Sequence, residues 1–209
     1  MEHRIVSLIA SATEIVAALG YQRCLVGRSH ECDFPSGVES LPVCSEPRID
    51  VSGSSNEIDK QVKASLRDAL SIYTVFRDEL ERLKPSVIIT QSQCDVCAVN
   101  LEDVQAVVCE MVESKPEIVS LEPMTLSDIW SDIQSVADAL NDVEAGHRLI
   151  DSLQKRLQNL TTTLPESTVR PTVVCIEWLE PLMSAGNWIP ELVKLAGGTS
   201  LLSEAGKHS

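Results

Sequence analysis

The longest amphipathic tract in the chain, Leu126 to Leu160, constrains the rest, because strand-and-helix patterns of the α/β kind lie on both sides of it. Leu126, Ile129, Trp130, Ile133, Val136, Ala137 and Leu140 recur at helical spacing, which gives one helix a single apolar stripe. Thr125, with Asp128 three residues on, reads as a capping-box-like start. Asn141-Asp142 interrupts the pattern, and Asp142 can cap a second helix striped by Leu149, Ile150, Leu153, Leu157 and Leu160. At ~1.5 Å rise per residue, its roughly 18 residues span about 27 Å, the width of a small domain. Such a pair is either an ordinary packed hairpin of helices or a rigid strut between two bodies.

Before the pair, short apolar runs alternate with helical patterns. Arg4 to Leu8 predicts a buried strand. Ser11-Ala-Thr-Glu14 predicts a capping box on a helix that ends at Gly20, the expected C′ glycine. Cys24 to Gly27 and Leu41 to Cys44 read as further short strands, separated by a polar loop containing Pro35 and Gly37. Ile58, Val62, Leu66 and Leu70 mark a helix over 57–70; Ile72 to Val75 is strand-like, and Arg77 to Leu83 is helical up to Lys84-Pro85. Val87 to Thr90 is a buried-strand run, Asn100 caps a helix over 101–113, and Ile118 to Leu121 is the next strand. Alternation of this kind implies a doubly wound, mostly parallel sheet covered on both faces.

After the pair, 161–170 is a polar linker. Thr172 to Ile176 predicts a strand, and a short helix runs from Trp188 or Ile189 to Ala196, ahead of Gly197-Gly198. The organisation expected is a first α/β lobe over 1–122, a helix pair over 123–164 and the start of a second lobe over 165–209. A strand, a helix and a tail cannot cover both faces of a sheet, so the expectation is an incomplete second lobe belonging to a longer protein.

Composition narrows the function. A hydrophobic content of 44% with 23% charged residues suits a soluble globular chain. A net charge of −14 repels phosphate backbones and anionic membrane surfaces, which argues against nucleic-acid binding. No run is long enough to insert in a membrane, and no signal peptide precedes Ile5. A chain whose native start is Met1 is expected in the cytoplasm; one from which a leader was trimmed is expected outside it. Seven cysteines, at 24, 32, 44, 94, 97, 109 and 175, are odd in number and do not read as a disulfide scaffold. Cys24, Cys109 and Cys175 fall in apolar patterns and are expected to be buried thiols.

Ligands of open α/β sheets bind outside the carboxyl ends of the strands. Three stretches follow such ends: Ala10 to Glu14, His30-Glu-Cys-Asp33, and Gln91 to Val99. The first lacks the glycines of a phosphate-binding loop. His30-x-Cys32 with Cys94-x-x-Cys97 offers a Cys₃His set suited to zinc; the same thiols could instead form a redox pair, or simply line a site. Aromatic residues make up only 3% of the chain, yet Trp178 and Trp188 stand ten apart at or just after a strand end. Indoles there suit a flat or apolar ligand, or they plug the base of the second unit. No nucleophile–base–acid arrangement stands out, so an enzyme is not expected.

Several stretches together resemble the cobalamin and iron-chelate type of ABC-transporter substrate-binding protein, the class III, helix-bridged group. They are Arg4–Gly20, Val26–Asp33, Leu41–Val43, Pro85–Gln91, Ser120–Pro123, the long helix pair and Gly186–Gly198. The resemblance implies two α/β lobes bridged by one long helix, with a cobalamin-like or metal-chelate ligand held in the cleft between them. It also implies an ABC-transporter permease as partner. It puts Ala12, Thr13, His30, Glu31, Cys32 and Asp33, with Cys94, Asp95 and Cys97, on the first lobe's edge of the cleft. Trp178, Asn187 and Trp188 fall on the second lobe's edge, and Glu191 is the candidate for docking on the transporter. The chain departs from this group in showing no leader or lipidation cysteine, and the His-Glu-Cys and Cys-x-x-Cys pairs resemble a cytoplasm-compatible subgroup. The alternative is therefore a cytoplasmic metal-binding or redox protein using His30, Cys32, Cys94 and Cys97 on the same fold.

Overall fold

The computed structural model describes residues 3–68, 70–93, 98–111, 114–163 and 169–208. In chain order the elements are β1 (Ile5–Ser7), α1 (Ala10–Ala18), β2 (Leu25–Arg28), β3 (Ser45–Pro47), α2 (Ser55–Arg67), β4 (Tyr73–Val75) and α3 (Arg77–Leu83). They continue with β5 (Val87–Gln91), α4 (Leu101–Glu110), β6 (Glu117–Leu121), α5 (Leu126–Ala139) and α6 (Val143–Thr163). After the helix pair come β7 (Thr172–Val173), β8 (Ile176–Trp178), β9 (Met183–Ser184), α7 (Ile189–Leu195) and β10 (Thr199–Ser200).

Four strands form one parallel sheet in the order β2-β1-β5-β6. All five residues of β5 are buried, which explains why the strand is continuously apolar up to Thr90. Side chains alternate between two cores, as the pleat requires. Ile5, Val87, Ile89 and Leu121 pack with α1, α5 and the first half of α6. Val6 and Ile88 pack with α3, α4 and Ile72-Tyr73 on the opposite face.

Several helix starts follow the side-chain chemistry, while α1, α3 and α7 begin without a side-chain cap. Ser54 and Glu57 form a full capping box on α2, as Thr125 and Asp128 do on α5. Asn100 accepts the Asp103 amide at 2.9 Å at the start of α4. The box expected at Ser11 and Glu14 is absent: the N-cap lies two residues earlier, at Ile9, and has no side-chain cap. At its other end Gly20 has φ +94°, and the amides of Gly20 and Tyr21 donate to Ala17 and Val16. This is the Schellman closure, which needs a left-handed residue.

Two strand expectations are corrected. Leu41 to Cys44 contributes only a single bridge, Val43 to Arg28; the strand lies just beyond it, as β3, and pairs antiparallel with β4. Thr172 to Ile176 is not one strand. It splits into β7, parallel to β10, and β8, antiparallel to β9. Among the described residues no strand after α6 joins the first sheet. The architecture is α/β, with a parallel-sheet lobe carried by a long helix to a second, smaller α/β unit.

The cysteines depart from expectation too. Cys109 is exposed, Cys24 and Cys175 are half-buried, and the loop residue Cys32 is buried. Periodicity on a short helix assigns a face only coarsely, and Cys109 falls just off the stripe of Val104 and Val108.

The 21-residue α6 spans about 31 Å. Leu149, Ile150 and Leu153 pack on the first core, whereas Leu160 is 63% exposed, so the helix outruns the lobe that anchors it. Its approach to α5 is very close at Gly146. A Cβ there would meet Gln134 Oε1 at 2.6 Å and Ala137 Cβ at 2.8 Å. The glutamine can move; the alanine, fixed to its backbone, cannot. Replacing Gly146 by Ala gains roughly 1 kcal/mol of helix propensity against an overpacking cost of about 1–3 kcal/mol. Gly146→Ala is therefore expected to lower the urea midpoint at unchanged slope, and Gly146→Val to lower it further.

Candidate functional site

The carboxyl ends of β1, β2 and β5 lie side by side, so the loops that follow them leave one edge of the sheet. The chain winds away from β1 towards β2 on one side, and from β5 towards β6 on the other. The crevice between β1 and β5 is therefore the switch point where an open α/β sheet offers a ligand site.

On this edge the polar residues divide into those that build the loops and those that face water. Thr13 is fully buried and donates its hydroxyl to Ser7 Oγ at 2.8 Å, with Cys32 Sγ 3.0 Å away. Cys32 is 1% exposed, and its thiol also lies 3.5 Å from Ser29 Oγ. Ser7, Thr13, Ser29 and Cys32 thus form a closed buried network that ties the loop after β2 to the start of α1. Ala12 is buried in the core of that helix. Ala12, Thr13 and Cys32 are brought together at the expected edge, but as its foundation, with no side-chain surface of their own.

Glu31 and Asp33 are exposed. His30 is half-buried, with its ring centroid 5.7 Å from that of Tyr73 and its Nε2 3.8 Å from Glu31 Oε1. Its Nδ1 is buried with no hydrogen-bond partner among the described residues. Burial, reinforced by the Glu31 charge, pushes the Tyr73 phenol up to about 12, so it stays protonated. Arg28 braces the same loop from outside, donating to the carbonyls of Ser29, His30 and Glu39. Phe34, next in the loop, is 60% exposed.

Cys94, Asp95 and Cys97 lie outside the described residues. Among the described residues no group of three or more His, Cys, Asp or Glu side chains could hold a metal ion. Cys32 is spoken for by its hydroxyl neighbours, so the zinc reading finds no support there.

On the second unit, Trp178 and Trp188 are both half-buried. Trp178 donates its indole N–H to the Glu180 carbonyl at 3.0 Å. Asn187 sits at φ +52°, and its backbone exchanges bonds with the C-terminal turn, to Lys207 at 2.7 Å and from Gly206 at 3.0 Å. Its side-chain oxygen is buried with no partner among the described residues. Glu191, the candidate for docking on the transporter, is half-buried, and its carboxylate accepts the Leu126 amide at 2.8 Å. A free amide in the first turn of a helix attracts a carboxylate, and α5 supplies one beside α7.

That junction collects carboxylates. Asp128 is held below the usual range by hydrogen bonds from Thr125 and Met124. Asp132, one turn on, is pushed up to about 6 by burial, opposed by the Glu122 amide and assisted by the charges of Asp128 and Glu122.

Sequence reasoning missed Ser7, Ser29 and Tyr73. The available signal was a pair of serines at the ends of two apolar strands, where a buried strand would otherwise end in another aliphatic residue.

The sequence matches the family described as periplasmic binding protein over residues 5–209, and the chain belongs to that family. Comparison with curated proteins gives no match. Among solved structures, the chain is similar to the periplasmic heme-binding protein RhuT from Roseiflexus sp. RS-1, with TM-score 0.68 and 21% identity over 95% of this chain and 65% of that one. It is similar to the periplasmic vitamin B12 binding protein BtuF of Vibrio cholerae, with TM-score 0.66 and 21% identity over 97% and 67%. It is also similar to S. aureus IsdE complexed with heme, with TM-score 0.66 and 15% identity over 100% and 68%. The chain thus spans about two thirds of the length of these structures. No helix among the described residues is long and apolar enough to cross a membrane.

Two outcomes follow from the geometry. Thr13→Val keeps the volume but removes the hydroxyl bonded to Ser7 Oγ and set against Cys32 Sγ, and is expected to cost about 1 kcal/mol by urea unfolding. Asp132 has a folded pKa near 6 against an ordinary 3.8. The fold therefore favours its protonated form, and that stabilisation, full at low pH, is lost as pH rises through about 6. Asp132→Asn should be more stable than the wild type at pH above 7, with the difference vanishing towards pH 4 in thermal melts.

Proposed function

We propose that this chain is a non-enzymatic solute-binding protein that holds a planar metal chelate, of the heme or cobalamin class, between its two α/β units. The observation that carries the reading is the convergence of the loops after β1, β2 and β5 on one sheet edge at the switch point. That edge is preorganised by the Ser7–Thr13–Cys32–Ser29 network. The side chains left for a ligand on it are His30, Glu31 and Asp33, joined by Phe34. From the second unit come Trp178, Asn187 and Trp188, in a chain with very few aromatic residues. Two indoles and a phenyl ring suit a flat, largely apolar ligand, and an imidazole on the same edge suits one that also carries a metal.

The names of the structural neighbours, heme-binding and vitamin B12 binding, agree with that chemistry. The role of such a protein is to hand its solute to an ABC-transporter permease. The metal or redox alternative is not favoured, because it needs a Cys32 thiol that already has buried hydroxyl neighbours.

Titration with hemin and with cyanocobalamin, following tryptophan emission and ligand absorbance, tests the reading. Saturable quenching by at least one of them at micromolar ligand or below is expected. Trp178→Ala should weaken binding roughly tenfold, equivalent to about 1.4 kcal/mol. An absence of saturable quenching by both chelates, from protein with native circular dichroism, would overturn the assignment.

A further inference from the structure

The two α/β units meet through a polar contact that no functional reading so far has used. Asn56, in the first turn of α2, donates its side-chain amide to Glu180 Oε1 at 2.8 Å, across 124 residues of sequence. Glu180 also accepts, through its carbonyl, the indole N–H of Trp178 at 3.0 Å. One residue of the β8–β9 turn therefore holds Trp178 with its backbone and the first lobe with its side chain. The start of α2 is itself firmly set, because Ser54 and Glu57 cap it reciprocally. The turn has little else to fix it. Leu179 and Leu182, which flank Glu180-Pro181, are 72% and 70% exposed, so no apolar packing pins them.

We propose that Asn56 and Glu180 are a positioning pair that sets the indole of Trp178 relative to the first lobe. The inference rests on the reading of Trp178 as a ligand-facing residue, and adds a specificity-determining contact to it. The stacking surface on one unit is aligned by a side chain of the other, so displacing the units breaks the alignment. Asn56 acts through Glu180 and touches no ligand.

Amide hydrogen exchange of residues 177–184 in ligand-free protein tests the pair directly. Asn56→Ala and Glu180→Ala should each speed exchange about fivefold, the change in open population that one lost hydrogen bond produces. The double variant should be no faster than either single one. Glu180→Gln, whose side-chain oxygen still accepts, should exchange at the wild-type rate. Unchanged exchange in Asn56→Ala, or additive effects in the double variant, would overturn the proposal. Acrylamide quenching of Trp178 in a Trp130→Phe/Trp188→Phe background supplies the second measurement, with Asn56→Ala expected to raise the quenching constant. Faster exchange without increased quenching would show that the pair holds the turn but not the indole, and would also overturn it. All of these readings are made without ligand, so failure of chelate binding and failure of the pair are separately visible.

Discussion

The close approach of α5 and α6 at Gly146 is the contact on which the rest of the molecule depends. With no side chain there, α6 can lie against Ala137 and Gln134 at a distance that a single methyl group would prevent. Helix axes that come this close are confined to few crossing geometries. The first half of α6 is then pinned to the parallel-sheet core by Leu149, Ile150 and Leu153, and the direction of its second half is fixed before it leaves the lobe.

Among the described residues, two hydrogen bonds run from the second unit to the first. Glu191 reaches back to the amide of Leu126 at the start of α5, and Glu180 reaches across to Asn56. The former lies at the root, beside the helix pair, and the latter on the β8–β9 turn. Both are hydrogen bonds between a carboxylate and an amide, and both are modest against water. The helix supplies stiffness and the two carboxylates supply registration. Each holds one point of the second unit in register with the first.

Much of this was legible in the sequence because it is local. The Thr125–Asp128 box, the Asn100 cap and the Gly20 closure are each decided within four residues by hydrogen-bond chemistry that the residue types announce. The buried strands read through because parallel strands are apolar on both faces. What could not be read was non-local. Ser11 and Glu14 have a capping signature, but the short connection from β1 starts α1 at Ala10 and leaves Ser11 inside the helix. Cys32 looks like a loop residue by its neighbours His30, Glu31 and Asp33, and only the spatial meeting of Ser7, Thr13 and Ser29 explains its burial. The hydrogen bond of Glu191 to a helix start 65 residues away is likewise invisible in its own neighbourhood.

The buried network bears on how such a site would bind. Four small polar side chains in contact satisfy one another and leave no donor or acceptor that must be met by a solute. An edge built in this way has its polar groups internally balanced, so the residues that protrude, His30, Glu31, Asp33 and Phe34, are displayed on a base that need not rearrange. Rigidity in advance reduces the ordering cost of association, and the remaining freedom sits on the second unit, in the turn that carries Trp178. If Trp178 faces the solute as proposed, selectivity would depend less on reshaping the first lobe than on how far that indole stands from it, and the discriminating variable would be the relative position of the two units.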